Sequence, residues 1–251
     1  MQPKYAHLII DAFIYARMGS SRLPGKPLME LLPGRSMLSI IFERLQRVRV
    51  TEGVQLRLKL LTSTLAHERP LIEHAQALGL EVFQGSETDV YQRTCDALNG
   101  AAETSVAFFR INGDSPFTPF DLMTMALEYF QAQPTAEIVT NLRPRTYPYG
   151  VAVELLNTLT FLNHPEFASP DAREHITRPY YQNWEAKIAK GAMVQLPTHS
   201  PAAAKCRLVV DTRQDLLSLQ QLLEAHPALA TAKTAALVSH CRRHPELYRG
   251  F

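Results

Sequence analysis

Apolar and polar positions follow two periods along the chain, and the change between them predicts alternating strands and helices. A nearly continuous apolar run from Leu8 to Tyr15 predicts a buried first strand. Apolar side chains that recur at helical spacing from Met37 to Val48 predict an amphipathic helix. Leucines that alternate with charged residues from Leu56 to about Leu61 predict a second strand.

The alternation continues to the end of the chain and predicts an α/β fold, with a mostly parallel sheet covered by helices on both faces. The 251 residues fit a single domain, 1–251, in which the less regular stretch 143–200 is interpreted as an insert. Further strands are predicted at 81–83, before Asp114, at 137–140, up to Glu154 and up to Asp211. Further helices are predicted at 70–78, 89–98, 119–130, 215–225 and 231–243.

The segment Tyr15–Leu28, between the first strand and the first helix, is dense in small and basic residues. Small residues allow backbone amides to approach an anion closely, and the cations Arg17, Arg22 and Lys26 can neutralise further phosphate oxygens. The segment therefore predicts a polyphosphate site, and the alternative is an ordinary basic surface turn. The small residues between the cations are Gly19, Ser20, Ser21 and Gly25.

The spacing of this loop differs from that of two common phosphate loops. A Walker A loop requires G-x-x-x-x-G-K-[ST], whereas Gly19 and Gly25 lie one residue too far apart and Pro27 follows the lysine. No G-x-G-x-x-G follows the first strand, which disfavours a dinucleotide site. A P-loop NTPase and a Rossmann dehydrogenase are therefore both disfavoured.

Polar side chains follow several of the predicted strands. Asp114 follows the central strand, and Asp211 follows a later apolar run. Because open α/β sheets hold ligands at the carboxyl ends of their strands, we expect these carboxylates to meet at one edge. Arg110 and Asn112 on the central strand and Ser63 at the end of the second are candidates for the same ligand. Unrelated turn aspartates are the alternative.

Composition narrows the class of protein. A net charge of +2 is too small to argue for nucleic acid as a partner. The three cysteines, Cys95, Cys206 and Cys241, lack C-x-x-C spacing, which argues against a disulfide framework and a zinc site. No apolar run has the length of a membrane span and no signal peptide is recognisable, so we expect no membrane partner and a cytoplasmic location.

The string A-R-M-G-S-S-R-L-P-G-K at 16–26 resembles the A-R-x-x-S-x-R-x-P-G-K-x-L signature of the CMP-sugar synthetases, and looks most like their SpsF branch. Similar motifs recur at 113–116, 146–155, 170–180 and 210–215, so that the resemblance spans nearly the whole chain. It implies a GT-A-like nucleotidyltransferase that transfers CMP from CTP to an acidic sugar and releases pyrophosphate. It also implies a homodimer, with the insert contributing to the sugar pocket or the dimer.

The resemblance further implies roles for individual residues. The implied catalytic residues are Arg17, Arg22, Lys26 and Asp114. The implied ligands of one Mg²⁺ are Asp114 and Asp211. The implied sugar-binding residues are Tyr147, Glu154, Arg173, Glu174 and His175, of which the last three are expected to open a helix. The implied nucleotide-binding residues are Ala16, Arg17, Met18, Gly19, Ser20, Ser21, Arg22, Lys26, Ser63, Arg110 and Asn112.

Two other functions stay open. A nucleotidyltransferase could use another NTP or a sugar 1-phosphate, since related folds share a loop of glycine, arginine and lysine. The family pattern [IVL]-D-T-x-E-D carries a glutamate where this chain has Gln214, so a catalytically degenerate sugar-nucleotide-binding protein is the second alternative.

Overall fold

The computed structural model describes residues 8–101 and 103–248. The strands are β1 Leu8–Tyr15, β2 Glu30–Leu32, β3 Arg35–Ser36, β4 Val54–Ser63, β5 Glu81–Gly85, β6 Ala107–Asn112, β7 Ile138–Thr140, β8 Glu154–Asn157 and β9 Met193–Gln195. The helices are α1 Met37–Leu45, α2 Arg69–Ala77, α3 Val90–Asn99, α4 Phe120–Ala132, α5 Thr158–Leu162, α6 Pro170–Glu174, α7 Arg178–Tyr181, α8 Trp184–Ala189, α9 Arg213–Ala225 and α10 Thr234–Arg243.

Seven strands form one sheet in the order β5-β4-β1-β6-β8-β7-β9. The neighbours β5, β4, β1 and β6 are parallel, β8 is antiparallel to both β6 and β7, and β9 is parallel to β7. Strands β2 and β3 form a separate antiparallel pair. The predicted fold class, a mostly parallel sheet with helices on both faces, is confirmed.

Alternate residues of the central strands face opposite sides of the sheet. On β1, Ile10, Ala12 and Ile14 pack into one hydrophobic cluster with α1, α4, α9 and α10, whereas Phe13 packs into the other. Phe108 of β6 joins Phe13 on the second side, together with apolar residues of α3, α5, α6 and α7. Burial on both faces explains why β1 reads as a continuous apolar run rather than an alternating one.

Three local predictions were wrong. Glu154 begins β8 rather than ending a strand. The apolar run before Asp211 is extended but belongs to no strand of the described sheet; it forms an isolated bridge between Tyr149 and Arg207, and its Val210 amide donates to the Asp114 carbonyl oxygen. The helix expected to open at Arg173 instead spans Pro170–Glu174, because Ser169 accepts a hydrogen bond from the Ala172 amide and caps its first turn.

The structure bears on the expectation that no segment spans a membrane. Among the described residues, no helix combines the length and apolar character needed to cross a membrane. Residues 1–7, on which the expectation about a signal peptide partly rests, lie outside the described residues. The single domain 1–251 and the role of the insert at 143–200 stay predictions.

Candidate active site

The loop after β1 turns sharply at a glycine and ends in a short helix that carries Lys26. Gly25 adopts φ +75°, a conformation that glycine tolerates at no steric cost. The amides of Ser20 and Gly25 both donate to the Met18 carbonyl oxygen, at 3.0 and 2.9 Å. Pro27 then lies in the first turn of the 3₁₀ helix Lys26–Leu28, where its missing N–H costs nothing. The sequence G-K-P thus fixes where the short helix begins, and with it the position of Lys26.

A second glycine lets the strand ends of β1 and β6 come together. A Cβ at Gly113 would lie 2.5 Å from the Ala16 Cβ and 2.7 Å from the Tyr15 carbonyl oxygen. The Gly113 amide donates to that same carbonyl oxygen at 2.9 Å. Any side chain here would push the loop away from Asp114, the next residue.

Lys26, Asp114 and Asp211 meet at one point. Lys26 Nζ donates to Asp114 Oδ2 at 3.0 Å and to the Val210 carbonyl oxygen at 3.1 Å, and it lies 3.6 Å from Asp211 Oδ1. The Val210 amide donates to the Asp114 carbonyl oxygen at 2.9 Å, which ties the two acidic segments together. The two carboxylates therefore converge although Asp211 does not follow a sheet strand.

Asp211 is also held by two arginines. Arg22 Nη2 lies 3.0 Å from Asp211 Oδ1, and Arg207 Nη2 donates to Asp211 Oδ2 at 2.8 Å. Arg207 Nε donates to Asp215 Oδ1 at 2.8 Å, and Asp215 forms a capping box with Thr212 at the start of α9. Burial alone would raise the pKa of Asp215, but the hydrogen bonds from Arg207, Thr212 and backbone amides lower it to about 2. The network fixes Asp211 at the edge of the cleft.

Two adjoining clefts meet at these charged residues and share several of them. The first has a volume of about 510 Å³ and is lined by the loop, by the start of α3 and by Glu174 and His175. The second has a volume of about 400 Å³ and is lined by the segments around Arg143 and Glu154. The residues common to both are Arg22, Arg110, Asn112, Asp114 and Asp211.

A buried ion pair lies at the base of the second cleft. Arg110 Nη1 donates to Glu154 Oε2 at 2.7 Å, and Tyr181 Oη donates to Glu154 Oε1 at 2.7 Å. Burial raises the pKa of Tyr181 well above its usual value, and the neighbouring Glu154 carboxylate raises it further, so the hydroxyl stays protonated. Because β8 runs antiparallel to β6, the first residue of β8 lies at the edge where β6 ends. This reversal brings Glu154 to the site.

Two further arginines line the second cleft. The Arg143 guanidinium lies over the Tyr181 ring at 4.6 Å, and that of Arg145 over the Tyr149 ring at 5.0 Å. Neither has an ion-pair partner among the residues that the structure describes. Burial lowers the pKa of Arg145, yet an arginine stays charged at neutral pH. Within the described residues, the cleft therefore offers two cations that form no close ion pair with a protein carboxylate.

The structure brings together most of the residues that the sequence singled out. The predicted residues that line the first cleft are Ala16, Arg17, Ser20, Ser21, Arg22, Lys26, Arg110, Asn112, Asp114, Glu174, His175 and Asp211. The second cleft is lined by the five shared residues and by one further predicted residue, Glu154.

Five of the predicted residues do not line either cleft. Tyr147 is buried, and its hydroxyl donates to the Pro197 carbonyl oxygen. Arg173 Nε donates to Asp89 Oδ2 at 2.6 Å, which ties α6 to α3. The other three are Met18 and Gly19, which belong to the loop but do not line a cleft, and Ser63, whose hydroxyl donates to Glu68.

Sequence reasoning missed several residues of the site. Arg143 and Arg145 had a signal, because they flank Pro144 directly before the motif at 146–155. Tyr181 and Arg207 had none, since they reach the site only through the packing of distant segments. Gln214 is exposed on α9 and outside both clefts, so it provides no support for a degenerate site.

Comparisons with known proteins agree with the fold. The chain is 27% identical over 236 residues to spore coat polysaccharide biosynthesis protein SpsF of Bacillus subtilis, covering 93% of this chain and 94% of that protein. The structure of a cytidylyltransferase from Leptospira borgpetersenii matches with a TM-score of 0.82 at 26% identity, over 98% of both chains. CMP:2-keto-3-deoxy-manno-octonic acid synthetase matches with a TM-score of 0.58 at 17% identity, over 86% of this chain and 98% of that one, a likeness of fold alone.

A family model described as cytidylyltransferase matches residues 12–185, which include the loop 15–28, Asp114 and Glu154 but not Asp211. This match covers well over half of the chain and agrees with the resemblance inferred from the loop motif. The chain belongs to the cytidylyltransferase family and is a nucleotidyltransferase.

Proposed function

We propose that this protein transfers CMP from CTP to an acidic sugar, with release of pyrophosphate, in the biosynthesis of a surface polysaccharide or glycoconjugate. The observation that carries the proposal is the cluster of Arg22, Lys26, Asp114 and Asp211, of which all but Lys26 line both clefts. A nucleotide in the first cleft and a sugar in the second would meet there. Among the relatives, SpsF is named for polysaccharide biosynthesis, and the octonic acid synthetase was solved with CTP.

The residues at this junction fit a magnesium ion shared with a nucleotide. Among residues 8–101 and 103–248, no group of three or more acidic, histidine or cysteine side chains forms a ready-made metal cage. Mg²⁺ needs only one or two protein carboxylates when phosphate oxygens and water complete its shell. Asp114 and Asp211 already converge on the Lys26 ammonium, so they would hold the ion, which would neutralise charge on the phosphoryl oxygens.

The reaction requires positioning and charge neutralisation rather than a covalent enzyme intermediate. The anomeric hydroxyl of the sugar attacks the α-phosphorus in line, a new P–O bond forms, the bond to pyrophosphate breaks, and the hydroxyl proton is released to solvent. Arg17, Arg22 and Lys26 line the first cleft, where they would hold the triphosphate and the departing pyrophosphate.

The acidic character of the sugar is proposed from the second cleft. Arg110 is compensated by Glu154, and Arg22 by Asp211, but Arg143 and Arg145 lack such partners among the described residues. A carboxylate on the substrate would fill that role, since guanidinium groups favour bidentate contact with carboxylates. Homodimer formation and a cytoplasmic location stay predictions from the sequence.

The first test concerns the base. With Mg²⁺ present, CTP should raise the melting temperature more than ATP, GTP or UTP at equal concentration, because preferential binding to the folded state stabilises it. A tenfold affinity difference is worth about 1.4 kcal/mol, or roughly 3–5 °C for a chain of this size. Thermal-shift titrations of the four nucleotides decide the point. Equal shifts for all four would favour a nucleotidyltransferase with another substrate.

The second test concerns the two arginines. Arg145→Ala should raise the KM for the acidic sugar by about tenfold to a hundredfold, the range expected for a lost charge-assisted hydrogen bond. The KM for CTP should stay within about twofold, since Arg145 lines only the second cleft. The assay is pyrophosphate release with the best acidic sugar from a screen.

Arg242→Ala, an exposed arginine on α10, is the matched control and should behave as wild type. If Arg143→Ala and Arg145→Ala both retain the wild-type KM for the sugar, the second cleft does not select an acid.

A further inference from the structure

A fully buried carboxylate lies directly behind the phosphate loop. Glu68 has no exposed surface, and it sits in the short 3₁₀ turn Ala66–Glu68 that connects β4 to α2. It lines neither cleft and therefore has no direct access to a substrate. Its role must be sought in the groups that it contacts.

Three donors and a histidine ring nitrogen surround the two carboxylate oxygens of Glu68. The Met18 amide and Thr62 Oγ1 donate to Oε2 at 2.9 and 3.0 Å. Ser63 Oγ donates to Oε1 at 3.0 Å, and His67 Nε2 lies 3.3 Å from the same oxygen. A buried carboxylate without such donors would be strongly unfavourable. Both oxygens of Glu68 accept hydrogen bonds, and these bonds join the loop, the end of β4 and the turn before α2.

The contact with Met18 is the one that reaches the active site. The Met18 amide is held by Glu68, while the Met18 carbonyl oxygen accepts from Ser20 and from Gly25. Gly25 is followed directly by Lys26, whose ammonium lies between Asp114 and Asp211. Two hydrogen bonds, from Met18 to Glu68 and from Gly25 to Met18, thus connect Glu68 to the residue that precedes the lysine.

We propose that Glu68 is a positioning residue that holds the loop in the conformation in which Arg17, Arg22 and Lys26 face the triphosphate. The Thr62 and Ser63 hydroxyls belong to this buried anchor rather than to the nucleotide site, where the sequence had placed Ser63. The inference rests on the proposed function in that the loop is assumed to bind a triphosphate.

The experiment compares Glu68→Ala and Glu68→Gln with Glu73→Ala, which replaces an exposed glutamate on α2, the helix that follows the turn, whose partner Arg69 is also exposed. Amide hydrogen exchange across residues 16–28 is measured without nucleotide, and steady-state kinetics are measured with CTP and sugar. Glu68→Ala should speed exchange in the loop by about tenfold or more. It should lower kcat/KM for CTP by a similar factor and leave the KM for sugar unchanged.

Glu68→Gln should retain most of the loop protection, because its amide oxygen can still accept from Met18 while its NH₂ group donates to the Ser63 hydroxyl. Glu73→Ala should match the wild type in exchange and kinetics. A folded Glu68→Ala protein with wild-type exchange in the loop and wild-type kcat/KM for CTP would overturn the proposal, even if its melting temperature fell.

Wild-type exchange provides a test if Glu68→Ala does not fold. The Met18 amide, bonded to a buried carboxylate, should exchange at least about tenfold more slowly than the amide of the exposed Ser21. Equal rates would overturn the anchor. Because exchange requires no nucleotide, a wild-type protein that ignores CTP would refute the proposed function without deciding the role of Glu68.

Discussion

Replacing Lys26 with alanine should lower kcat by about a hundredfold or more and change the KM for CTP much less. An electrostatic donor that faces charge developing in the transition state contributes mainly to turnover, and loss of one such donor costs about that factor. The Lys26 ammonium lies 3.0 Å from Asp114 Oδ2 and 3.6 Å from Asp211 Oδ1, so it lies where the phosphates and the carboxylates must approach one another. Pyrophosphate release with saturating CTP measures the effect.

Lys26→Ala should lower turnover but strengthen the binding of Mg²⁺. Without the ammonium, the Asp114 and Asp211 carboxylates lose a competing cation, so half-maximal binding of Mg²⁺ should shift to lower concentration. Arg22→Ala should resemble Lys26→Ala in turnover because Arg22 also pairs with Asp211, whereas Arg242→Ala should be silent. Wild-type turnover in Lys26→Ala would show that the loop is only a basic surface turn.

Features encoded in short stretches of sequence were predictable. The strand Leu8–Tyr15 was predicted with its observed bounds, because a strand buried on both faces leaves a continuous apolar signal. The spacing of glycines and cations between 16 and 28 predicted a loop that the structure places on the first cleft. Asp114 followed from the rule that ligands bind at the carboxyl ends of parallel strands, since β6 is parallel to β1.

Features that depend on strand direction or distant packing were not predictable. Glu154 was expected at the end of a strand, but β8 is reversed, and only this reversal brings its first residue to the ligand edge. Asp211 reaches the site on an extended segment bonded to the loop after β6, so the reason given for its position was wrong. Ser63 carries a hydroxyl at a strand end, as expected, yet a carboxylate five residues later turns it away from the cleft.

The two carboxylates should behave as one unit. Asp114→Asn and Asp211→Asn should each abolish most activity, and the double variant should be little worse than either single variant, because effects within one site are not additive. Both variants should fold. Their side chains are 27% and 15% exposed, and asparagine keeps the shape of aspartate and a side-chain oxygen that can still accept from Lys26 and Arg207.

The decisive comparison varies the metal concentration and includes a readout other than turnover. Pyrophosphate release is measured against Mg²⁺ for the three variants, and Mn²⁺ binding is measured by electron paramagnetic resonance as an independent probe. If Asp114 and Asp211 share one ion, either single substitution should weaken Mn²⁺ binding, because each removes a carboxylate ligand of that ion. Asp96→Asn, an exposed acidic residue on α3, is the control and should match the wild type. Two unrelated turn aspartates predict the opposite, namely near wild-type turnover and unchanged metal dependence in at least one single variant.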